Sequence, residues 1–210
     1  MSKELQQRIL SAVPPQVMSA LLETHGAIRG APLSAASLIA LNHAVNAIGG
    51  AFFFKIPHDI PKLRIIGFAI SYLACAIVSL HQAATTSSTK ARRNASLLLA
   101  SASTTLYWWT VKYTRQRPLT AIHSQDQPGH VFDTGPYALV RHPFYTAYLG
   151  NFAAGAVASN SRLGWLAFLG AVAIYLQGAR NEESKFAQSE LARKYSLYKR
   201  RVSMFVPYVF

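Results

Sequence analysis

Charged residues avoid five stretches of this chain. Residues 32–54, 65–84, 95–111, 144–161 and 163–179 contain no Asp, Glu, Lys or Arg. They run to 23, 20, 17, 18 and 17 residues, and a helix needs about 20 mostly apolar residues to cross a bilayer. The pattern predicts an all-α integral membrane protein of about five transmembrane helices. A soluble all-α bundle with unusually apolar helices is the alternative. Ser159, Asn160 and Ser161 mark a tight turn between the fourth and fifth runs. Residues 1–30 read differently. Leu5, Ile9, Leu10 and Val13, then Val17, Met18, Leu21 and Leu22, recur at helical spacing, broken by Pro14 and Pro15. With Lys3, Glu4, Arg8, Glu23 and Arg29 among them, they predict either short amphipathic helices at the interface or a tail, and not a secretory signal. The chain thus divides into an interfacial segment (1–30), helices one to three with their loops (31–128), and a C-terminal region (129–210).

Composition narrows the class. Only 14% of the 210 residues are charged and 51% are hydrophobic, where a soluble domain carries about 25% charged residues. Disorder is excluded by that apolar content, and a disulfide scaffold by Cys75 being the single cysteine. Lys and Arg number 21 against 8 acidic residues, a net charge of +13. A nucleic-acid binder would spread that charge along helix faces; here it gathers between the runs, so nucleic acid is not an expected partner. With five spans, Lys3, Arg8, Arg29, Lys90, Arg92, Arg93 and Arg162 fall on one side and the other fourteen on the opposite side. The positive-inside rule places the richer side in the cytosol. That side holds residues 55–64, 112–143 and the tail.

Polar residues within the runs are few. Asn42 and Asn46 share a helix face with His43 nearby, and hydrogen bonding between helices or a substrate pocket would each account for them. Ser101, Ser103, Thr104 and Thr105, and the series Ala147, Asn151, Gly155, suit close helix packing. Cys75 and His81 read as structural. No residues have metal-ligand spacing, so no metal is expected.

Two blocks concentrate chemistry. The first is Gly135-Pro136-Tyr137-Ala138-Leu139-Val140-Arg141-His142-Pro143-Phe144-Tyr145, where the cytosolic loop meets the fourth run. Pro143 suits a first helical turn. The N-terminus of that helix, with Arg141 and His142 beside it, favours an anion or carboxylate. An interfacial anchor of Arg and Tyr explains the same residues. The second block is Arg180, Glu182 and Glu183 at the end of the fifth run. Its carboxylates suit ribose hydroxyls or an amine, or the neutralisation of Arg180 and nearby basic residues. A basic amphipathic tail follows, with Tyr195, Tyr198, Lys199, Arg200, Arg201 and Val202, closing on Pro207, Tyr208, Val209 and Phe210.

Taken together, these blocks resemble the isoprenylcysteine carboxyl methyltransferase family, which is related to the membrane phospholipid methyltransferases. Gly135, Tyr137, Val140, Arg141, His142, Pro143, Tyr145, Arg180, Glu182, Glu183, Tyr195, Tyr198, Arg201, Val202 and Pro207 carry the match, over residues 129–210. The resemblance implies a membrane enzyme that methylates with S-adenosylmethionine. Its cofactor would lie on the cytosolic side, enclosed by the loop, the last helices and the tail. Tyr137, Arg141, His142, Pro143, Phe144 and Tyr145 would line that pocket, with Gly129, His130, Val131 and Phe132 beside them. One of Glu182 and Glu183 would hold the cofactor's polar end, and Arg180 would face a prenylated or otherwise lipid-like substrate in the membrane. In a eukaryotic host the location would be the endoplasmic reticulum, with the active site facing the cytosol. The chain departs from the family pattern at Ala147, Leu191, Ala192 and Ser203, and the tail begins one residue late.

Methyl transfer is a displacement at an activated carbon, so the protein mainly positions two partners. A carboxylate acceptor is ionised at neutral pH and needs no base. It needs a cation to orient it, and Arg180 is the candidate catalytic residue. Three rivals accompany this expectation. A sterol-type membrane reductase would take NADPH, with Arg115, Arg117 and Arg141 on its phosphates. A methyltransferase acting on a phospholipid amine shares much of the pattern. A non-catalytic scaffold would use the basic face to bind anionic lipid.

Overall fold

Helix boundaries follow local chemistry. Thr89 caps the helix Lys90–Thr114 by accepting from the Arg92 N–H at 3.3 Å, and Ser161 caps Arg162–Ala187 by accepting from the Gly164 N–H at 2.9 Å. Each hydroxyl satisfies one of the orphan donors of a first turn. Asn160 ends the preceding helix in the left-handed region, φ 47°, a conformation that Asn tolerates better than most residues. The predicted turn at Ser159, Asn160 and Ser161 is thus where the chain reverses.

The computed structural model describes residues 39–44, 62–115 and 129–209. They form α1 (Lys62–Thr85), α2 (Lys90–Thr114), a 3-10 turn (Gly135–Ala138), α3 (Pro143–Ser159), α4 (Arg162–Ala187) and α5 (Ala192–Lys199), with residues 39–44 also helical. Among the described residues the fold is all-α; its one extended pairing is a parallel bridge between Val140 and Ser203. Four of the five uncharged runs coincide with α1 to α4. Most of the run 32–54 lies outside the described residues, as do residues 1–30, Asn46 and Arg117.

Lack of charge overstated how apolar these helices are. Among the described residues only α4 is long and apolar enough to cross a membrane by length and composition, and α1 contributes a shorter apolar stretch, Ala69–Thr85. The run within α2 carries Ser96, Ser101, Ser103, Thr104, Thr105 and Thr110, and α3 has 17 residues rich in Ala and Gly. Hydroxyls and small side chains lower hydropathy without adding charge.

α3 is the central helix and touches α1, α2 and α4. Its small residues let neighbours close in. Gly150 lies against Ser103 of α2 and Gly155 against Ser79 of α1. The Ser96 hydroxyl donates to the Ala154 carbonyl at 2.8 Å. Asn42 donates from its amide to the Ala100 carbonyl at 3.1 Å and accepts from Thr104 at 2.5 Å. His43 meets the Tyr72 hydroxyl at 3.1 Å. Of the two readings of Asn42 and His43, hydrogen bonding between helices is the one these contacts carry. One core joins Ala76 and Tyr107 to Phe144, Phe152 and Tyr175, so residues 62–115 and 143–209 pack as one unit.

Candidate functional site

The first block folds back on itself before α3 begins. Gly135 adopts φ 61°, and a Cβ there would meet the Tyr113 ring at 2.7 Å. Both facts require glycine. The turn carries Tyr137 into a buried aromatic cluster, stacked on Phe132 at 5.3 Å and joined by Val131, Tyr195, Tyr198 and Val202. Burial pushes the Tyr137 hydroxyl well above its ordinary range, with the Glu182 charge adding to the rise. The Tyr198 hydroxyl donates to the Tyr137 carbonyl at 2.7 Å.

Beyond the turn the chain runs alongside the C-terminal tail. The Arg141 N–H donates to the Ser203 carbonyl at 2.8 Å and the His142 N–H to the Met204 carbonyl at 3.2 Å. The Thr146 hydroxyl donates to the Phe205 carbonyl at 3.0 Å. Pro143 then opens α3, as predicted for a first-turn proline.

Glu182 and Glu183 enter from the end of α4. Adjacent helical residues point about 100° apart, so the pair splits. Glu183 is buried, and its side chain is 6% exposed. Its Oε1 accepts from Arg141 Nε at 2.8 Å and lies 3.2 Å from His142 Nε2; its Oε2 accepts from Lys199 Nζ at 2.6 Å. Burial raises the Glu183 pKa, but hydrogen bonds from His142, Lys199 and Arg141 outweigh it and hold the carboxyl well below the usual range. Glu182 is 34% exposed. It accepts from the Tyr145 hydroxyl and lies 3.5 Å from His142 Nδ1. The His142 imidazole therefore bridges the two carboxylates. Burial lowers its pKa, yet the two Glu acceptors and their charges raise it more, and the net shift is upward. As imidazolium it offers a donor to each carboxylate.

The structure brings together Arg141, His142, Tyr145, Glu182 and Glu183, with Tyr137 and Phe132 forming an adjoining aromatic wall against which Val131 packs. Gly129 and His130 lie exposed where that wall begins, His130 edge-on to Phe132 at 4.9 Å. Pro143 and Phe144 are buried, and Phe144 packs edge-on against Tyr107 in the bundle core. Arg180 is exposed on α4. Glu183 pairs with Arg141, Lys199 and the His142 imidazole, so among the described residues the carboxylate neutralises these and not Arg180. The anion expected beside Arg141 and His142 is present within the protein, as Glu183.

Two contributors were not singled out for this site from the sequence. Lys199 was one cation in a basic tail, and only the fold shows its nitrogen on Glu183. The carbonyls of Val202 to Phe205 belong to the backbone and carry no side-chain signal. No family model and no curated protein matches this chain.

Proposed function

We propose that this protein is a membrane methyltransferase that uses S-adenosylmethionine and acts on a prenylated or similar lipid-like acceptor, at a carboxylate. The observation that carries the reading is the division of labour between the two glutamates. Three blocks distant in sequence meet at one end of the bundle. Glu183 is closed off by Arg141, His142 and Lys199, while Glu182, held by His142 and Tyr145, keeps a carboxylate that is 34% exposed.

The residues suit the cofactor's chemistry. Glu182 offers acceptors for an amine or ribose hydroxyls, and the Tyr145 hydroxyl and His142 fix its orientation. Tyr137 lies near enough for the Glu182 charge to act on its hydroxyl, and it stacks on the half-buried Phe132. Bound there, S-adenosylmethionine would supply an electrophilic methyl group. Arg180 is exposed on α4, about 200° round the helix from Glu182, so its long guanidinium side chain would have to reach round the helix to orient an acceptor carboxylate. No base is required of the protein, because such an acceptor is already ionised.

The five-span membrane architecture belongs to the same proposal. Ile70, Leu73 and Ile77 of α1, Leu98 of α2, and Leu163, Leu166 and Leu169 of α4 are all exposed, as lipid-facing residues would be. Trp108 and Trp109 stand toward the site end of α2 and Trp165 at the far end of α4, also exposed, which suits aromatic belts at the two interfaces. The count of Lys and Arg supports a site on the cytosolic side. The dinucleotide alternative is weakened, since Arg141 is already bonded to Glu183 and to the tail.

Calorimetry on the detergent-purified protein tests the reading, with S-adenosylmethionine and reduced dinucleotide titrated separately. Binding of the first alone is expected, and Glu182→Gln should weaken it about tenfold, the scale of one charge-assisted hydrogen bond. Arg180→Ala should raise the KM for a farnesylcysteine analogue, or abolish turnover, while cofactor affinity stays unchanged. Binding of the dinucleotide alone would replace this reading with a reductase, and binding of neither would return the lipid-binding scaffold.

A further inference from the structure

Arg141 and Glu183 have almost no free surface: their side chains are 8% and 6% exposed. Their bonding is also taken up. Both oxygens of Glu183 are engaged by Arg141, His142 and Lys199. Arg141 Nη1 donates to the Val202 carbonyl at 2.6 Å and reaches the Lys199 carbonyl at 3.4 Å. Those carbonyls lie at and just beyond the end of α5, where a helix leaves its last acceptors unpaired and a cation is favoured. The Arg141 N–H takes the next carbonyl, that of Ser203. One residue thus binds three carbonyls of the tail and one carboxylate of α4.

We propose that Arg141 and Glu183 are positioning residues, a buried ion pair that fastens the C-terminal tail to the entrance of α3 and so closes the site around Glu182. The inference rests on the methyltransferase reading only for the cofactor arm of its test. The fastening reaches Glu182 through His142. Facing that imidazole are Glu182 and Glu183 from α4, Tyr145 from α3 and Phe205 from the tail. Arg141 precedes it in the chain, and Lys199 of α5 reaches the same carboxylate from the other side. Losing Glu183 leaves the Arg141 charge buried without its counter-ion and frees one side of the imidazole. Both changes release the tail and misplace Glu182. Lys199 closes the outside of the clasp with a nitrogen on a half-exposed side chain, so its share is smaller.

Hydrogen exchange read by mass spectrometry tests this in the full-length protein, on peptides covering residues 140–146 and 195–205, beside calorimetric affinity for S-adenosylmethionine. Arg141→Ala and Glu183→Ala should each speed exchange in both peptides by about a hundredfold, as a broken buried pair lowers the cost of local opening. Each should also weaken the cofactor by about tenfold or more. The double variant should be no worse than either single one, because the two act as a unit. Arg141→Lys keeps the charge but loses the fork, and should fall between. Lys199→Met should speed exchange only about threefold, and with Arg141→Lys it keeps the test open if the alanine variants do not fold. Normal exchange with lost affinity would overturn the proposal, since Arg141 and Glu183 would then touch the ligand directly. Fast exchange with unchanged affinity would also overturn it, since the tail would not be a wall of the site. If the wild type binds no S-adenosylmethionine, the methyltransferase reading falls, and the exchange arm alone decides whether the pair fastens the tail.

Discussion

The two halves of α3 handle buried polarity in opposite ways. At its start, charges are brought inside and paired: Arg141, His142, Glu182, Glu183 and Lys199 satisfy one another within a few ångströms. Further along, polarity is kept small. Gly150 and Gly155 admit Ser103 and Ser79, Ser96 reaches the Ala154 carbonyl, and Asn151 is fully buried with neither amide atom partnered among the described residues. Removing one member of a network strands the rest, whereas removing an unpartnered group strands nothing. The start of α3 should therefore be brittle to side-chain deletion, and the middle sensitive to added bulk.

The largest effect should come from Glu183→Ala, which leaves Arg141 buried without its counter-ion and should cost about 3–5 kcal/mol. Thermal melting in detergent reads this directly, and a melting temperature within a degree of wild type would abolish the contrast. Gly155→Val comes next. Its methyl groups must enter space held by Ser79 of α1, and overpacking of this kind costs about 1–3 kcal/mol.

Acidity gives a third handle, confined to the start of α3. The Glu183 pKa is lowered on folding, so its contribution is present above the ordinary value of 4.5 and is lost as pH falls through the lowered value. The His142 pKa is raised, so its contribution is complete below 6.5 and is lost as pH rises through the raised value. Stability should be greatest between those two ordinary values and decline on the alkaline side, at no more than about 1.4 kcal/mol per pH unit for one proton. His142→Gln keeps a hydrogen-bonding side chain without the titration and should flatten the alkaline decline. An identical decline in that variant would assign it to another group.

The smallest change should follow Asn151→Leu. An unpartnered buried amide is replaced by an apolar side chain, and stability should shift by less than about 1 kcal/mol or rise. A loss as large as that of Glu183→Ala would mean that the middle of α3 is also a network, and the comparison would fail.

Which parts of this were legible in the sequence depends on the range of the cause. The absence of charge over 65–84, 95–111, 144–161 and 163–179 located four helices, because helical packing of apolar faces is a local, periodic property. Ser161, Asn160 and Pro143 announced helix ends, because capping acts within one turn. The packing of Gly155 was readable from the spacing of Ala147, Asn151 and Gly155. The strength of the apolar character was not, since counting charges ignores hydroxyls and small residues. The site's membership was largely legible as well: Tyr137, Arg141, His142, Tyr145 and the two glutamates stood out by residue type.

What each of them does was decided only by tertiary structure. Glu182 and Glu183 are identical in kind and adjacent in sequence. One is saturated by Arg141, His142 and Lys199, and the other is left facing outward beside Tyr145. Arg141 sits 42 residues from Glu183 and 61 from Val202, and a cation's role depends on which carboxylate and which carbonyls lie within about 3 Å of it. The sequence by itself determined which chemical groups this protein owns and which helices carry them. The fold determined which of those groups are bonded to one another and which one faces outward, because burial and partnership belong to pairs of residues that only folding brings together.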